Sequence, residues 1–149
     1  EKICAWMISR QHASELPGWY VMQGLINWLL SDDPEAIAVM QHMIFNVVPM
    51  MNPDGVYLGR FRTNSLDIDL NRQWGDTDPA TEPSVYAVKT LVEQWVNDGK
   101  DFSLFLDFHQ DDPLTLFPIQ LVFVLSIQYS DSYTYYYLLY LHLLVYLAQ

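Results

Sequence analysis

Apolar runs and polar breaks alternate along the first hundred residues. Ile3 to Ile8 is continuously apolar, the pattern of a strand covered on both faces. Trp19, Met22, Ile26, Leu29 and Leu30 then recur at helical spacing and predict a helix over residues 17–31 with those positions in the core. Asp33 suits a cap and Pro34 a first helical position, so a short helix is expected over 35–42. Residues 43–50 read as a second buried strand. Asn52-Pro53-Asp54-Gly55 is a turn by its chemistry, with proline fixing φ and glycine free to take positive φ. Residues 56–79 show no clear period and read as a polar, functional loop. Val85, Val88, Leu91, Val92 and Trp95 share one face of a helix over 82–98, which Gly99 ends. A further apolar strand follows at 102–108. Strand, helix, strand, loop, helix, strand is the order of an α/β fold whose long apolar strands are covered on both faces.

The last 40 residues depart from this pattern. From Leu114 on there is no Glu, Lys, Arg or Gly, while Tyr, Leu and Val crowd together. Tyr133 to Leu147 reads as a buried or membrane-associated helix. Its 15 residues fall short of the roughly 20 that a span needs, which favours burial over a membrane. An altered reading frame would also produce so abrupt a change. The chain starts with Glu1 and runs at once into a buried strand, so we expect a piece of a longer protein.

Composition narrows the function classes. A chain of 149 residues, 51% hydrophobic and 17% charged, suits one globular domain rather than a disordered segment. A formal net charge of −11 argues against nucleic acid as a partner, because phosphate binding needs a basic face. The single cysteine, Cys4, excludes an intramolecular disulfide and a Cys-rich zinc site; it reads as a small buried strand residue. No secretory signal pattern and no internal repeat is evident.

The candidate chemistry begins at Ser9-Arg10-Gln11-His12-Ala13-Ser14-Glu15. An imidazole and a carboxylate three residues apart, at a strand-to-helix turn, can converge on one metal ion. Catalytic zinc commonly takes two His and one Glu, with a water in the fourth place. His109, at the end of the 102–108 strand, is a candidate for the third ligand. The local alternative is that His12 bonds within the turn and Glu15 is a solvated first-turn carboxylate, favourable near a helix N-terminus. Four of the seven basic residues, Arg10, Arg60, Arg62 and Arg72, lie in the loop segments.

Four motifs taken together, His12-x-x-Glu15, Asn52-Pro53-Asp54-Gly55, Asp69-Leu70-Asn71-Arg72-Gln73-Trp74 and Asp107-Phe108-His109, resemble the zinc metallocarboxypeptidases, the carboxypeptidase A-like family. The nearest likeness is to the cytosolic carboxypeptidase branch, which also carries an arginine two before the first ligand, as Arg10 stands here. The resemblance covers residues 3–110. It implies a mixed central sheet with helices on both faces, here an incomplete α/β domain. It assigns residues 1–110 to the N-terminal and central part of a catalytic domain, and leaves 111–149 as an atypical apolar tail. It implies one zinc held by His12, Glu15 and His109. Arg62 aligns with the arginine that stabilises the oxyanion, and Asn71 and Arg72 with the pair that grips a terminal carboxylate. A planar guanidinium meets a carboxylate in a bidentate way, and such a grip makes an exopeptidase acting on a peptide or protein C-terminus. Read without the resemblance, Arg62 and Arg72 are solvated loop charges and Asn71 a turn residue. The branch name implies a cytoplasmic setting.

The sequence departs from the family in two places. The usual Pro-Gly between the first two ligands is Ala13-Ser14 here. The family's general-base glutamate follows the last ligand by a long interval, yet the last glutamate in this chain is Glu93, before His109. The resemblance therefore implies a zinc-dependent peptidase whose catalytic machinery is not complete in these residues. Two alternatives stand beside it. One is a non-catalytic, zinc-stabilised module that binds C-terminal carboxylates. The other is an amidohydrolase of the aspartoacylase and succinylglutamate desuccinylase kind; the Asn-Pro-Asp-Gly turn and Gln73-Trp74 favour the peptidase.

Overall fold

A computed structural model describes residues 2–100, 102–110, 119–129 and 133–142. Five strands form one sheet: β1 (Ile3–Ser9), β2 (Met43–Val48), β3 (Phe102–Gln110), β4 (Ile119–Tyr129) and β5 (Tyr133–His142). Their order is β2-β1-β3-β4-β5. β1 runs parallel to both β2 and β3, while β3, β4 and β5 are antiparallel neighbours. The sheet is mixed, as expected. The helices are α1 (Leu16–Leu29), α2 (Pro34–His42), α3 (Pro53–Tyr57) and α4 (Pro83–Asn97), with a single 3-10 turn at Leu70–Arg72.

β1 is the central element, and its side chains alternate between two cores. Cys4, Trp6 and Ile8 pack with Met51, Leu70, Val85 and Val88 on the α4 side. Met7 packs with Met22, Leu29, Leu106 and Phe108 on the α1 side. Helices cover both faces because a parallel strand flanked by two others has no face left for water. Asp33 accepts from the Glu35 N–H at 2.8 Å and caps α2, with Pro34 at the first position. Gly99 takes φ 69° just past α4, the left-handed stop the sequence indicates.

Several expectations need correction. Leu91 and Leu30 are 51% and 75% exposed, so each helix buries a narrower stripe than its apolar residues suggest. Trp19 is only partly buried and rests against Tyr20, with ring centroids 5.0 Å apart. The Asn52–Gly55 stretch is not a simple turn but the start of α3. Asn52 caps it by accepting from Gly55 N–H at 2.9 Å. Gly55 is required for space rather than for positive φ: a Cβ there would lie 2.5 Å from the Thr63 carbonyl oxygen. The helix expected over 133–147 is also overturned where it is described, since Tyr133–His142 is a strand paired with β4. Aromatic residues crowd this stretch, and they favour strands over helices. Positions 143–147 lie outside the described residues. Among the described residues, no helix is long and apolar enough to cross a membrane.

Gly18 sets the distance between α1 and β3. A Cβ at this helical position would lie 2.8 Å from the Phe108 carbonyl oxygen. In an open helix, Gly→Ala gains about 1 kcal/mol; Gly24, where an added Cβ would meet nothing within 4 Å, is such a site. Gly24→Ala is therefore expected to stabilise by up to about 1 kcal/mol. Gly18→Ala, earlier in the same helix, is expected to destabilise by about 1–3 kcal/mol, as overpacking does. Urea midpoints of the two variants check the opposite signs.

Candidate metal centre

β1 and β3 are parallel neighbours, with Ser9 level with Phe108. The residues that follow Ser9 and those that end β3 therefore emerge at the same edge of the sheet. Ligand sites in α/β sheets form at such carboxyl ends. Beyond Ser9 the chain turns sharply. Arg10 takes a left-handed φ of 57°, and its buried guanidinium donates to the Ala13 carbonyl oxygen. The backbone closes with Glu15 N–H donating to His12 O at 3.3 Å and Leu16 N–H to Ser14 O at 2.8 Å. α1 begins at once.

His12, Glu15 and His109 meet here, each offering one ligand atom within 4.8 Å of the others. Glu15 sits at the N-cap of α1, but its side chain makes no cap hydrogen bond. Its carboxylate lies instead between the two imidazoles, with His12 Nδ1 at 2.6 Å from one oxygen and His109 Nδ1 at 2.8 Å from the other. All three residues are buried, so Glu15 is not a solvated first-turn carboxylate.

Each imidazole has a second carboxylate behind it. His12 Nε2 is 3.1 Å from Asp69 Oδ1, and His109 Nε2 is 2.7 Å from Asp107 Oδ2. An ionised carboxylate only accepts, so Nε2–H donates outward to Asp69 or Asp107, and Nδ1, which faces Glu15, is the atom a metal would take in place of a proton. This is the arrangement that orients metal-binding histidines. Charge gives the same answer. Glu15, Asp69 and Asp107 bring three carboxylates to the cluster, of which Asp69 accepts from Arg62 Nε–H at 2.7 Å and Glu15 is also drawn to the Arg10 guanidinium. The carboxylates still outnumber these guanidiniums, which suits a bound cation. Two nitrogens and a carboxylate are a donor set that zinc takes.

The remaining expected residues gather alongside. Asp69 caps the 3-10 turn by accepting from Asn71 N–H at 3.0 Å. That turn brings Asn71 Nδ2 to 3.4 Å from His109 Nε2. Arg62 reaches the cluster through Asp69. Arg72 is exposed, and its guanidinium donates to the Asn71 carbonyl oxygen at 3.0 Å. Sequence reasoning gave no role to Asp69, Asp107 or Gln11. A signal for Asp107 was present: it stands two before His109 on a strand, hence on the same face.

Titration follows the geometry. Burial pushes the Glu15 carboxyl up, but hydrogen bonds from His109 and His12 and their charges outweigh it and bring it to about 2. Burial opposes the charged form of His109, yet hydrogen bonds to Asp107 and Glu15 and their attraction raise it to about 10. Asp69 is lowered: burial works against its charge, and Arg62 and His12 more than restore it.

The chain matches the zinc carboxypeptidase family over residues 1–135. It belongs to that family. Among curated proteins it is 39% identical over 110 residues to cytosolic carboxypeptidase 6 of Mus musculus, covering 73% of this chain and 20% of that protein. The Caenorhabditis elegans protein of the same name is 37% identical over 105 residues, covering 70% and 23%. Among solved structures, a metallo-carboxypeptidase from Burkholderia cenocepacia superposes with a TM-score of 0.65 at 35% identity, covering 74% of this chain and 29% of that one. A metallo-carboxypeptidase from Pseudomonas aeruginosa, in complex with (2-guanidinoethylmercapto)succinic acid, gives 0.62 at 34%, covering 74% and 28%. The chain thus spans about a fifth of the length of these two curated relatives. The family likeness accords with a mixed α/β sheet and with zinc as the metal for which this His, Glu, His set is suited.

These protonation states make a prediction. The His109 value is raised above the roughly 6.5 of a free imidazole. In the metal-free protein this stabilisation is full below about pH 6.5 and is lost as pH rises through about 10. Zinc needs the Nδ1 lone pair, so it must displace that proton. Zinc affinity is expected to rise roughly tenfold per pH unit between pH 7 and 9. Competition against a chelator at several pH values measures this. A flat profile would show that His109 carries no proton to displace.

Proposed function

We propose that this chain is part of a zinc-dependent metallocarboxypeptidase that hydrolyses C-terminal amino acids from peptides or proteins, with His12, Glu15 and His109 as the metal ligands. The observation that carries this reading is the buried His12–Glu15–His109 cluster at the ends of two adjacent parallel strands. On this reading residues 1–110 are the N-terminal and central part of the catalytic domain, followed by an atypical tail. Bound zinc supplies Lewis acidity, acidifying a water and polarising a carbonyl.

The chain's own residues bind and orient. Arg62, anchored on Asp69, presents a fixed positive charge beside the metal ligands, where it can meet developing negative charge on a substrate oxygen. Asn71 stands next to His109 and Arg72 follows it on the same 3-10 turn, exposed to solvent. A carboxylate at a chain end offers two acceptor oxygens for this amide and guanidinium. The proton-transferring glutamate of the family reading has no counterpart after His109 in these residues, since the last glutamate is Glu93. That observation supports metal and carboxylate binding by the chain without efficient turnover, and keeps a non-catalytic carboxylate-binding module as the second reading. The relatives' names support a peptide or protein substrate and a cytoplasmic setting.

Two measurements test this. Purified protein is expected to carry about one zinc per chain, lost in the His12→Ala, His109→Ala double variant. A peptide with a free C-terminus is expected to bind, and its amidated form not. Arg72→Ala should weaken binding of the free acid tenfold or more, given about 1.5–3 kcal/mol for a hydrogen bond to a charged group. Equal binding of acid and amide would remove the terminal carboxylate from the account. Efficient cleavage would overturn the statement that the chain lacks its base, and hydrolysis of N-acetyl-aspartate in preference to peptides would favour the amidohydrolase.

A further inference from the structure

We propose that Gln11 and Trp74 form a hydrogen-bonded strut that orients His109 through Asp107, which makes Gln11 a positioning residue of the metal centre. The proposal rests on the reading of His109 as a metal ligand. Gln11 is fully buried between the end of β1 and His12, and a buried amide must find partners. Its Oε1 accepts from the Trp74 Nε1–H at 2.9 Å. Its Nε2–H donates to Asp107 Oδ2, the same oxygen that receives His109 Nε2–H at 2.7 Å.

Every link in this series has a fixed direction. An indole nitrogen only donates, so Trp74 sets which end of the Gln11 amide faces it. The NH2 end is thereby turned to Asp107. The carboxylate accepts from both sides, which keeps a proton on His109 Nε2 and holds Nδ1 toward Glu15. Asp107 Oδ1 has no hydrogen-bond partner among the described residues. Its carboxylate is therefore held through Oδ2 alone, and losing Gln11 would leave it anchored only by the ring it is meant to orient.

Trp74 is itself seated. Its ring meets Phe105 edge-on, with centroids 6.1 Å apart and planes at 88°, and it packs against the core on the α4 side. It also follows closely on the 3-10 turn that carries Asn71. The strut thus ties the ring of His109 to the core and to the loop that bears the candidate carboxylate grip.

The test compares Gln11→Leu and Trp74→Phe with the wild-type chain. Leucine keeps apolar volume and removes the bonds to Trp74 and Asp107; phenylalanine keeps an aromatic ring toward Phe105 and removes the indole N–H together with the second ring. Zinc affinity is read by chelator competition, the cobalt(II)-loaded protein by its visible absorption spectrum, and folding by thermal unfolding of the metal-free protein. Gln11→Leu is expected to lose roughly tenfold in zinc affinity, within the range for outer partners of metal ligands. Trp74→Phe should lose less, in the same direction, and both should shift the cobalt spectrum. Unchanged affinity and spectrum, even with lowered unfolding temperature, would reduce Gln11 to a packing residue and overturn the proposal. Should Gln11→Leu not fold, Trp74→Phe decides by the same criteria. A wild-type chain that binds no zinc would overturn the metal reading and this proposal together, whereas zinc binding that neither variant alters would overturn this proposal alone.

Discussion

A carboxylate buried between two imidazoles is the interaction on which the rest of the site depends. Glu15 stands where a helix cap would be, yet its side chain serves His12 and His109 instead. An uncompensated buried charge is costly. The end of β1, the start of α1 and the end of β3 must therefore meet, or Glu15 is stranded. Asp69 and Asp107 extend the arrangement outward, one behind each ring. What results is three carboxylates gathered around two imidazoles. The site's demand for a cation is thus a property of the fold and not of any one residue.

Backbone geometry lets these elements come so close. Gly18 allows α1 to rest on the Phe108 carbonyl, next to His109. Arg10 accepts a left-handed conformation that costs a non-glycine residue roughly 1 kcal/mol, and in return its guanidinium holds the Ala13 carbonyl. Asn52 then pins the next segment: its amide donates to Gln11 O at 3.2 Å and to Thr63 O at 3.1 Å, and its oxygen caps α3. Through Asn52, the turn bearing His12 and the loop bearing Arg62 share one anchor. Replacement of the family's Pro-Gly by Ala13-Ser14 leaves this anchoring untouched, because the two side chains take no part in it; Ser14 contributes its N–H, which donates to Phe61 O at 3.0 Å.

Much of this was legible in the sequence, and the limits have physical causes. Strands 3–8 and 102–108 were visible because strands covered on both faces are apolar throughout. Helices were visible from their period and from caps such as Asp33 and Gly99. The triad was legible because a three-residue spacing at a strand end constrains two side chains at once, and because His109 ends another apolar strand, a candidacy that the likeness to known metallocarboxypeptidases strengthened. The faces of α1 and α4 were drawn too wide, since periodicity cannot tell how far a neighbour extends over Leu30 or Leu91. Gly55 was misjudged because its requirement is a carbonyl eight residues away, which no local rule senses. Tyr133–His142 was misjudged because apolar length was weighed above the aromatic preference for strands. Asp69 and Gln11 escaped because their partners are distant in the chain, and Asp107 because its same-face spacing to His109 was not weighed.

The division between strand ends and loop also explains how the site can be both rigid and polar. His12, Glu15 and His109 stand on or beside β1 and β3, where packing in two cores fixes them. Arg62, Asn71 and Arg72 stand on residues 56–79, which lack regular structure over most of their length. A loop of this kind has few apolar contacts to hold it, so side-chain amides and carboxylates do so. Asn64 accepts from the N–H groups of Leu66 and Ile68 and donates to Thr81 O at 2.9 Å. Asp69 joins Arg62, His12 and the Asn71 backbone. Such hubs satisfy backbone groups from within and leave Arg72 directed to solvent. Because Asp69 belongs to both systems, a shift of the loop is felt at His12, and the positions of the histidine cluster and of the Asn71–Arg72 turn are not independent.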